Sequence, residues 1–234
     1  MHQQKITEKQ FVIIVAGGSG QRMETSTPKQ FLNLNCKPVL MHSVQKFYDY
    51  NADISIIVVL PLEHISTWET LCNSHSFHVK HNIIPGGETR YQSVKNGLAA
   101  VSSPGLVAVH DGVRPLVSNE LISRSFKDAL KNGNAIPCID VNETIREVLP
   151  IGNRKLNRNK IKLIQTPQVF KSEILQKSYQ LPFCNDFTDD ASVVEKAGYQ
   201  INLIKGEKQN IKITTEFDLK FAEIFLKETE SGNF

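Results

Sequence analysis

The segment Gln10-Phe-Val-Ile-Ile-Val-Ala16 constrains the fold of this chain more than any other. It is continuously apolar and rich in β-branched residues, a pattern that suits a strand buried on both faces, as in a parallel sheet. The glycine-rich stretch Gly17-Gly-Ser-Gly-Gln-Arg-Met23 ends it abruptly. Two further runs of the same kind, 54–60 and 106–110, each follow a stretch of helical character, at about 38–50 and about 88–101. Strand and helix therefore alternate, which implies βαβ units and an α/β class: a three-layer, Rossmann-like, mostly parallel sheet with helices on both faces. Local signals agree. Pro38 suits the first turn of a helix, Pro61 stops the second strand, and Ser118 with Asn119 and Glu120 opens another helix. Strands are expected again at 134–139, 161–164 and 201–204, with a turn at Thr166-Pro-Gln168. Helices are expected from about Lys171, from about Thr188 and over about 215–227.

A chain of 234 residues fits one domain, expected to occupy 1–234. Its 40% hydrophobic and 22% charged residues are those of a globular protein. No apolar run approaches the roughly 18 residues that span a bilayer, and the first ten residues are too polar for a secretory signal, so a cytoplasmic protein without a membrane partner is expected. Cys36, Cys72, Cys138 and Cys184 stand far apart without a CxxC pair and read as reduced thiols. The net charge of +3 is too weak a bias to suggest nucleic acid. Position says more than the total. Arg22, Lys29, Arg90, Arg114, Arg158 and Lys212 each lie in or beside a loop-like segment, a distribution suited to a small anionic ligand.

A glycine-rich turn after a first strand lets backbone N–H groups approach phosphate oxygens. It is neither GxxxxGK[ST] nor a full GxGxxG, because Met23 stands where the last glycine belongs. Standing alone it could be a plain tight turn, but Arg22 lies within it and Lys29 follows in Thr27-Pro-Lys-Gln-Phe31. Two cations facing one phosphate chain suit nucleotidyl transfer, where an anion attacks an anion and fixed positive charge lowers the repulsion. Asp111 falls at the carboxyl end of the strand 106–110, where open α/β sheets place ligand-binding groups. Between two strands, 141–149 alternates poorly and 150–160 is polar, basic and rich in Asn. This segment reads either as a solvated loop or as an arm reaching a second subunit.

These strings, with Pro85-Gly-Gly-Glu-Thr-Arg-Tyr-Gln-Ser-Val94, Val109-His-Asp-Gly-Val-Arg-Pro115, Thr166-Pro-Gln168, Thr188-Asp-Asp-Ala-Ser192 and Asn210-Ile-Lys-Ile-Thr214, resemble the 2-C-methyl-D-erythritol 4-phosphate cytidylyltransferases in order and interval over about 11–227. The resemblance implies a nucleotidyltransferase that joins CMP from CTP to a small polyol phosphate. Ala16, Gly17, Gly18, Arg22 and Lys29 would hold the triphosphate, with Arg22 and Lys29 stabilising the transition state. Gly87, Glu88, Arg90 and Ser93 would meet the nucleoside. Asp111 would serve nucleotide and Mg²⁺, a hard oxygen on a hard ion. Lys212 would act in catalysis, and Arg114, Thr144, Arg158, Thr166 and Thr188 would bind the acceptor. The same resemblance makes 139–158 a β-arm that embraces a second subunit, with Arg158 completing the partner's site in a homodimer.

Glu88, Glu143 and Gly112 stand where the family usually has aspartate, aspartate and alanine. His75, His78 and His81 could be drawn as metal ligands, but their polar stretch reads as surface. Trp68 with Leu71 reads as helix packing. His110 is not needed as a base, since a phosphate nucleophile is already ionised. The rival readings are a ribitol 5-phosphate cytidylyltransferase, which shares several of these strings, and a CTP-binding module without turnover.

Overall fold

The structure, a computed structural model, describes residues 8–17 and 27–230. Gly18 and Arg22, both expected at the triphosphate, lie outside the described residues. The central sheet runs in the order β10-β7-β11-β6-β1-β4-β5, with β12 also paired to β7. Its heart is the set of apolar runs read from the sequence: β1 (Gln10–Val15), β4 (Ser55–Leu60) and β6 (Leu106–Asp111), with β5 (Asn82–Pro85) outermost, all parallel. The other half combines β7 (Asn134–Asp140), β10 (Lys162–Ile164) and β11 (Gln168–Lys171) in antiparallel pairs, with β12 (Leu203–Lys205) parallel to β7.

Period-two alternation along β1 divides the core. Val12 and Ile14 pack with Leu40 and Val44 of α1 (Val39–Tyr50), Trp68 of α2 (Ile65–Ser74) and Phe126 of α4 (Asn119–Asn132). Phe11 and Ile13 face Val94 of α3 (Arg90–Leu98), Leu175 of α5 (Ser172–Ser178) and Val193 of α6 (Asp190–Lys196). The helices thus cover both faces, as the apolar runs require. A third cluster sets the last helix, α7 (Glu216–Glu230), beside the short hairpin of β2 (Asn33–Leu34) and β3 (Lys37–Pro38), through Leu34, Ile213 and Ala222.

Three local readings shift. The turn at Thr166-Pro-Gln168 leads into β11, which inserts antiparallel between β6 and β7 before α5 begins. Pro38 closes β3 and caps α1 rather than lying in its first turn. His81 is not a surface residue like His75 and His78: it is half-buried, its Nε2 accepts from the Trp68 indole at 3.0 Å, and its Nδ1 lies 2.7 Å from the Val79 carbonyl. Trp68 itself is fully buried and stacks on Phe31, in accord with the packing role read for it. No group of three or more His, Cys, Asp or Glu side chains suited to a metal occurs among the described residues. Nor does any helix among them have the length and apolarity to cross a membrane.

The polar segment between β7 and β10 carries a hairpin of β8 (Arg146–Val148) and β9 (Asn153–Lys155), which pair with each other. Val148 and Ile151 at its tip are 85% and 93% exposed.

Candidate active site

A cleft of about 300 Å³ opens where β1, β5 and β6 end, between Ala16 and Gly17 after β1, Lys29, the turn Gly87–Arg90 with Ser93, Asp111 at the end of β6, and Lys212. Every described residue assigned to the nucleotide from the sequence, a set that leaves out Gly18 and Arg22, lines this one cleft, together with Lys212. Distant segments of chain are brought together by the ladders: Ala16 N–H donates to the Val59 carbonyl at 2.9 Å, Gly86 N–H to Leu60 at 2.7 Å, and Gly112 N–H to Val15 at 2.9 Å.

The turn before α3 is shaped by small groups. Thr89 caps the helix, its hydroxyl accepting from Gln92 N–H, and Ser93 Oγ accepts from Gly87 N–H at 3.1 Å. A Cβ on Gly87 would come within 2.1 Å of Gln92 Cγ, so this close turn requires glycine.

Charge in the cleft is concentrated on Asp111. Lys212 Nζ lies 3.0 Å from its Oδ2, Arg114 Nε 3.3 Å from the same oxygen, and Arg90 Nε 3.8 Å from Oδ1. Burial alone would raise the Asp111 pKa, but Arg90, Lys212 and Arg114 together hold it well below the usual carboxylate range. Arg90 is not a solvated arginine. It forms a bidentate pair with Asp190, at 3.0 Å and 2.6 Å, and Tyr179 OH donates to the same carboxylate at 2.7 Å. Burial opposes the charge of Arg90, yet Asp190 and Asp111 keep it firmly protonated.

Next to Asp111, His110 is fully buried, with Nδ1 3.1 Å from Thr166 Oγ1 and Nε2 3.1 Å from the Arg114 carbonyl. Burial lowers its pKa to about 4, so the ring is neutral at physiological pH. Thr166, read as an acceptor ligand, is itself buried and accepts from Asp111 N–H at 3.0 Å.

The residues assigned to the acceptor divide into separate places. Asp111 and Lys212 line the cleft, with Arg114 and Thr166 directly behind Asp111. Thr144 and Arg158 line a second cavity of about 530 Å³ on the arm, with Lys155, Leu156, Asn157 and Asn159. Thr188 is exposed just ahead of the Asp189 cap of α6. Sequence reasoning places Asp190 within Thr188-Asp-Asp-Ala-Ser192 but gives it no part, and it misses Gln30, Thr89 and Val113 on the cleft wall. Two adjacent acids, one more than a helix cap needs, are the available signal for Asp190.

The family description 2-C-methyl-D-erythritol 4-phosphate cytidylyltransferase matches residues 10–228. The chain belongs to this family. A 2-C-methyl-D-erythritol 4-phosphate cytidylyltransferase of Bacteroides thetaiotaomicron is 51% identical over 93% of this chain and all of its own length. That of Porphyromonas gingivalis is 44% identical over 94% of this chain and 98% of its own. Among solved structures, the cytidylyltransferase of Francisella tularensis superposes with a TM-score of 0.77 at 31% identity, covering 92% of this chain and 99% of that one. The Thermus thermophilus structure gives 0.76 at 29%, covering 94% and 99%. As a member of the cytidylyltransferase family, this chain is a nucleotidyltransferase, and its departures can be placed. Glu88 lines the cleft and Glu143 is exposed on the arm. At Gly112 a Cβ would come within 2.9 Å of Leu40 Cδ1 and 3.0 Å of Ala16 Cβ, so Leu40 occupies the room an alanine would need.

Proposed function

We propose that this chain transfers CMP from CTP to 2-C-methyl-D-erythritol 4-phosphate and releases pyrophosphate. The observation that carries the proposal is the gathering of Lys29, Lys212 and Asp111 with the Gly87–Ser93 turn in one cleft of a chain of this family. An oxygen of the acceptor phosphate, already ionised, attacks the α-phosphorus of CTP. The new P–O bond forms as the bond to the β-phosphate oxygen breaks, and its electron pair leaves with pyrophosphate. Lys29 and Lys212 supply fixed positive charge to the phosphates, which lowers the repulsion between two anions and favours in-line approach. The Gly87 backbone and Ser93, in a tight turn, suit a small pyrimidine.

A divalent cation fits this donor set. Mg²⁺ keeps several waters and is commonly held by one or two carboxylates together with substrate phosphates. Asp111 offers one such carboxylate, kept ionised by its cationic neighbours. The ion would neutralise phosphate charge when bound. For the acceptor half, the exposed arm with Thr144 and Arg158 favours a homodimer in which each arm reaches the partner's cleft.

The test is pyrophosphate release from CTP with Mg²⁺, offered 2-C-methyl-D-erythritol 4-phosphate and ribitol 5-phosphate in parallel. Turnover with the former supports the proposal. Turnover of ribitol 5-phosphate alone would move the assignment to that acceptor, and CTP binding without turnover of either would make the chain a binding module.

A further inference from the structure

We infer that His110 is a positioning residue: its imidazole, through Thr166 and the Arg114 carbonyl, fixes the turn from Asp111 to Arg114 and thereby aims both charged groups. The inference rests on the acceptor role that the family resemblance implies for Arg114 and on the reaction proposed above.

The hydrogen bonds determine where the protons lie. His110 is the last residue but one of β6, level with Ile14 on β1 and fully buried, its ring centroid 5.0 Å from that of Phe47 in an edge-to-face arrangement. So enclosed a ring touches no substrate, which separates it from a general base. Nε2 faces the Arg114 carbonyl, and a carbonyl only accepts, so Nε2 carries the proton. With Nε2 as the donor, Nδ1, which faces the Thr166 hydroxyl, is the ring's acceptor. Thr166 then donates its hydroxyl proton to Nδ1, and the same oxygen accepts from Asp111 N–H at 3.0 Å.

The circuit closes on itself. Asp111 N–H donates to Thr166, Thr166 to His110, His110 to the Arg114 carbonyl, and Arg114 N–H back to the Asp111 carbonyl at 3.0 Å. It also extends toward Lys212. Asn210 Nδ2 donates to the Thr166 carbonyl at 2.8 Å, and Arg114 Nη1 donates to the Asn210 carbonyl at 2.8 Å, two residues before the lysine. The four bonds of the closed circuit hold one geometry, because a turned group would leave a partner unpaired; in the extension, Asn210 Oδ1 is buried without a hydrogen-bond partner among the described residues.

Two substitutions divide the circuit. His110→Asn keeps an acceptor near Nδ1 and loses the donor to Arg114, whereas His110→Gln keeps a donor at the reach of Nε2 and loses the acceptor for Thr166. For His110→Asn the acceptor KM is expected to rise about tenfold while the CTP KM moves less than about twofold, and the same change added to Arg114→Ala costs less than about twofold more. His110→Gln, with the Arg114 tether intact, is expected to restore most of the acceptor KM. Equal losses in both backgrounds, or a smaller active fraction with both KM values unchanged, would overturn the inference. Should His110→Asn fail to fold, Thr166→Val removes both the donor to Nδ1 and the acceptor for Asp111 N–H without changing shape, and it must show the same dependence on Arg114. Nitrogen-15 imidazole spectra test the arrangement without turnover. A proton on Nε2 is expected in the ligand-free protein, and a ring protonated at Nδ1 alone would contradict the arrangement. Failure of the wild-type protein to use the acceptor would instead count against the proposed reaction.

Discussion

The cleft and the arm are built on opposite principles. The cleft draws on β1, β5 and β6 together with Lys29 and Lys212, and its central carboxylate is held by three cations. The arm is a hairpin of two three-residue strands paired with each other, its apolar tip in solvent and its cavity lined by 155–159 with Thr144. Groups that must meet phosphorus within fractions of an ångström gain from rigid elements. An exposed apolar tip is what a surface shaped for a partner presents. On the proposed reading, the nucleotide half is assembled within one chain and the acceptor half is divided between cleft and arm.

The largest effect expected is at Lys29. Lys29→Ala should lower turnover by about 10²–10³ or more in a pyrophosphate-release assay with the protein still folded, because the change removes the proposed transition-state cation. An unchanged rate would remove this lysine from the chemistry and the cleft from its catalytic role.

Packing gives the next contrast. A Cβ on Gly97 would come within 2.7 Å of Ile13 Cγ2 and 3.0 Å of Val59 Cγ2, both β-branched and buried, where α3 presses on the sheet. Gly97→Ala is expected to cost about 1–3 kcal/mol and lower the melting temperature by about 3–10 °C, as in other overpacked cores. Ile151→Ser, at a side chain 93% exposed, should change stability by less than about 0.5 kcal/mol. Equal effects in calorimetry would erase the distinction between a packed cleft and an open arm.

A further effect concerns pH. The unfolded chain protonates His110 near the ordinary 6.5, but the folded chain resists until about 4 because the ring is buried. Between these values the unfolded state binds more protons, so the His110 contribution is complete above pH 6.5 and is lost as pH falls toward 4. Asp111, held below its ordinary 3.8, continues the loss in stronger acid. Melting curves recorded without metal should fall across this window, and His110→Asn should flatten them. An identical slope in the variant would show that other groups set the acid response.

How much of this is legible in the sequence depends on how local the cause is. β1, β4 and β6 stand out because burial on both faces writes an unbroken apolar run. β11 does not: four residues after a proline turn become a strand because β6 and β7 flank them, with Val169 opposite both Ala108 and Ala135. In the cleft, short strings mark the residues near glycine turns and strand ends. Arg90, by contrast, owes its setting to Asp190, a hundred positions away, and no local pattern announces such a pair. His110 has no evident part in the sequence when only proton transfer is weighed; its fixed place appears once Thr166 and the Arg114 carbonyl are seen on either side of the ring. His81 reads as surface because the indole that donates to it lies on another element.

The division of the site between cleft and arm is tested most directly by mixing two inactive proteins. Lys29→Ala leaves Arg158 intact and Arg158→Ala leaves Lys29 intact, so a mixed dimer with exchanged arms contains one complete site. Turnover well above the sum of the separate proteins, appearing as subunits exchange, is the predicted result. Absence of rescue with subunit exchange verified would place the whole site within a single chain and contradict the account.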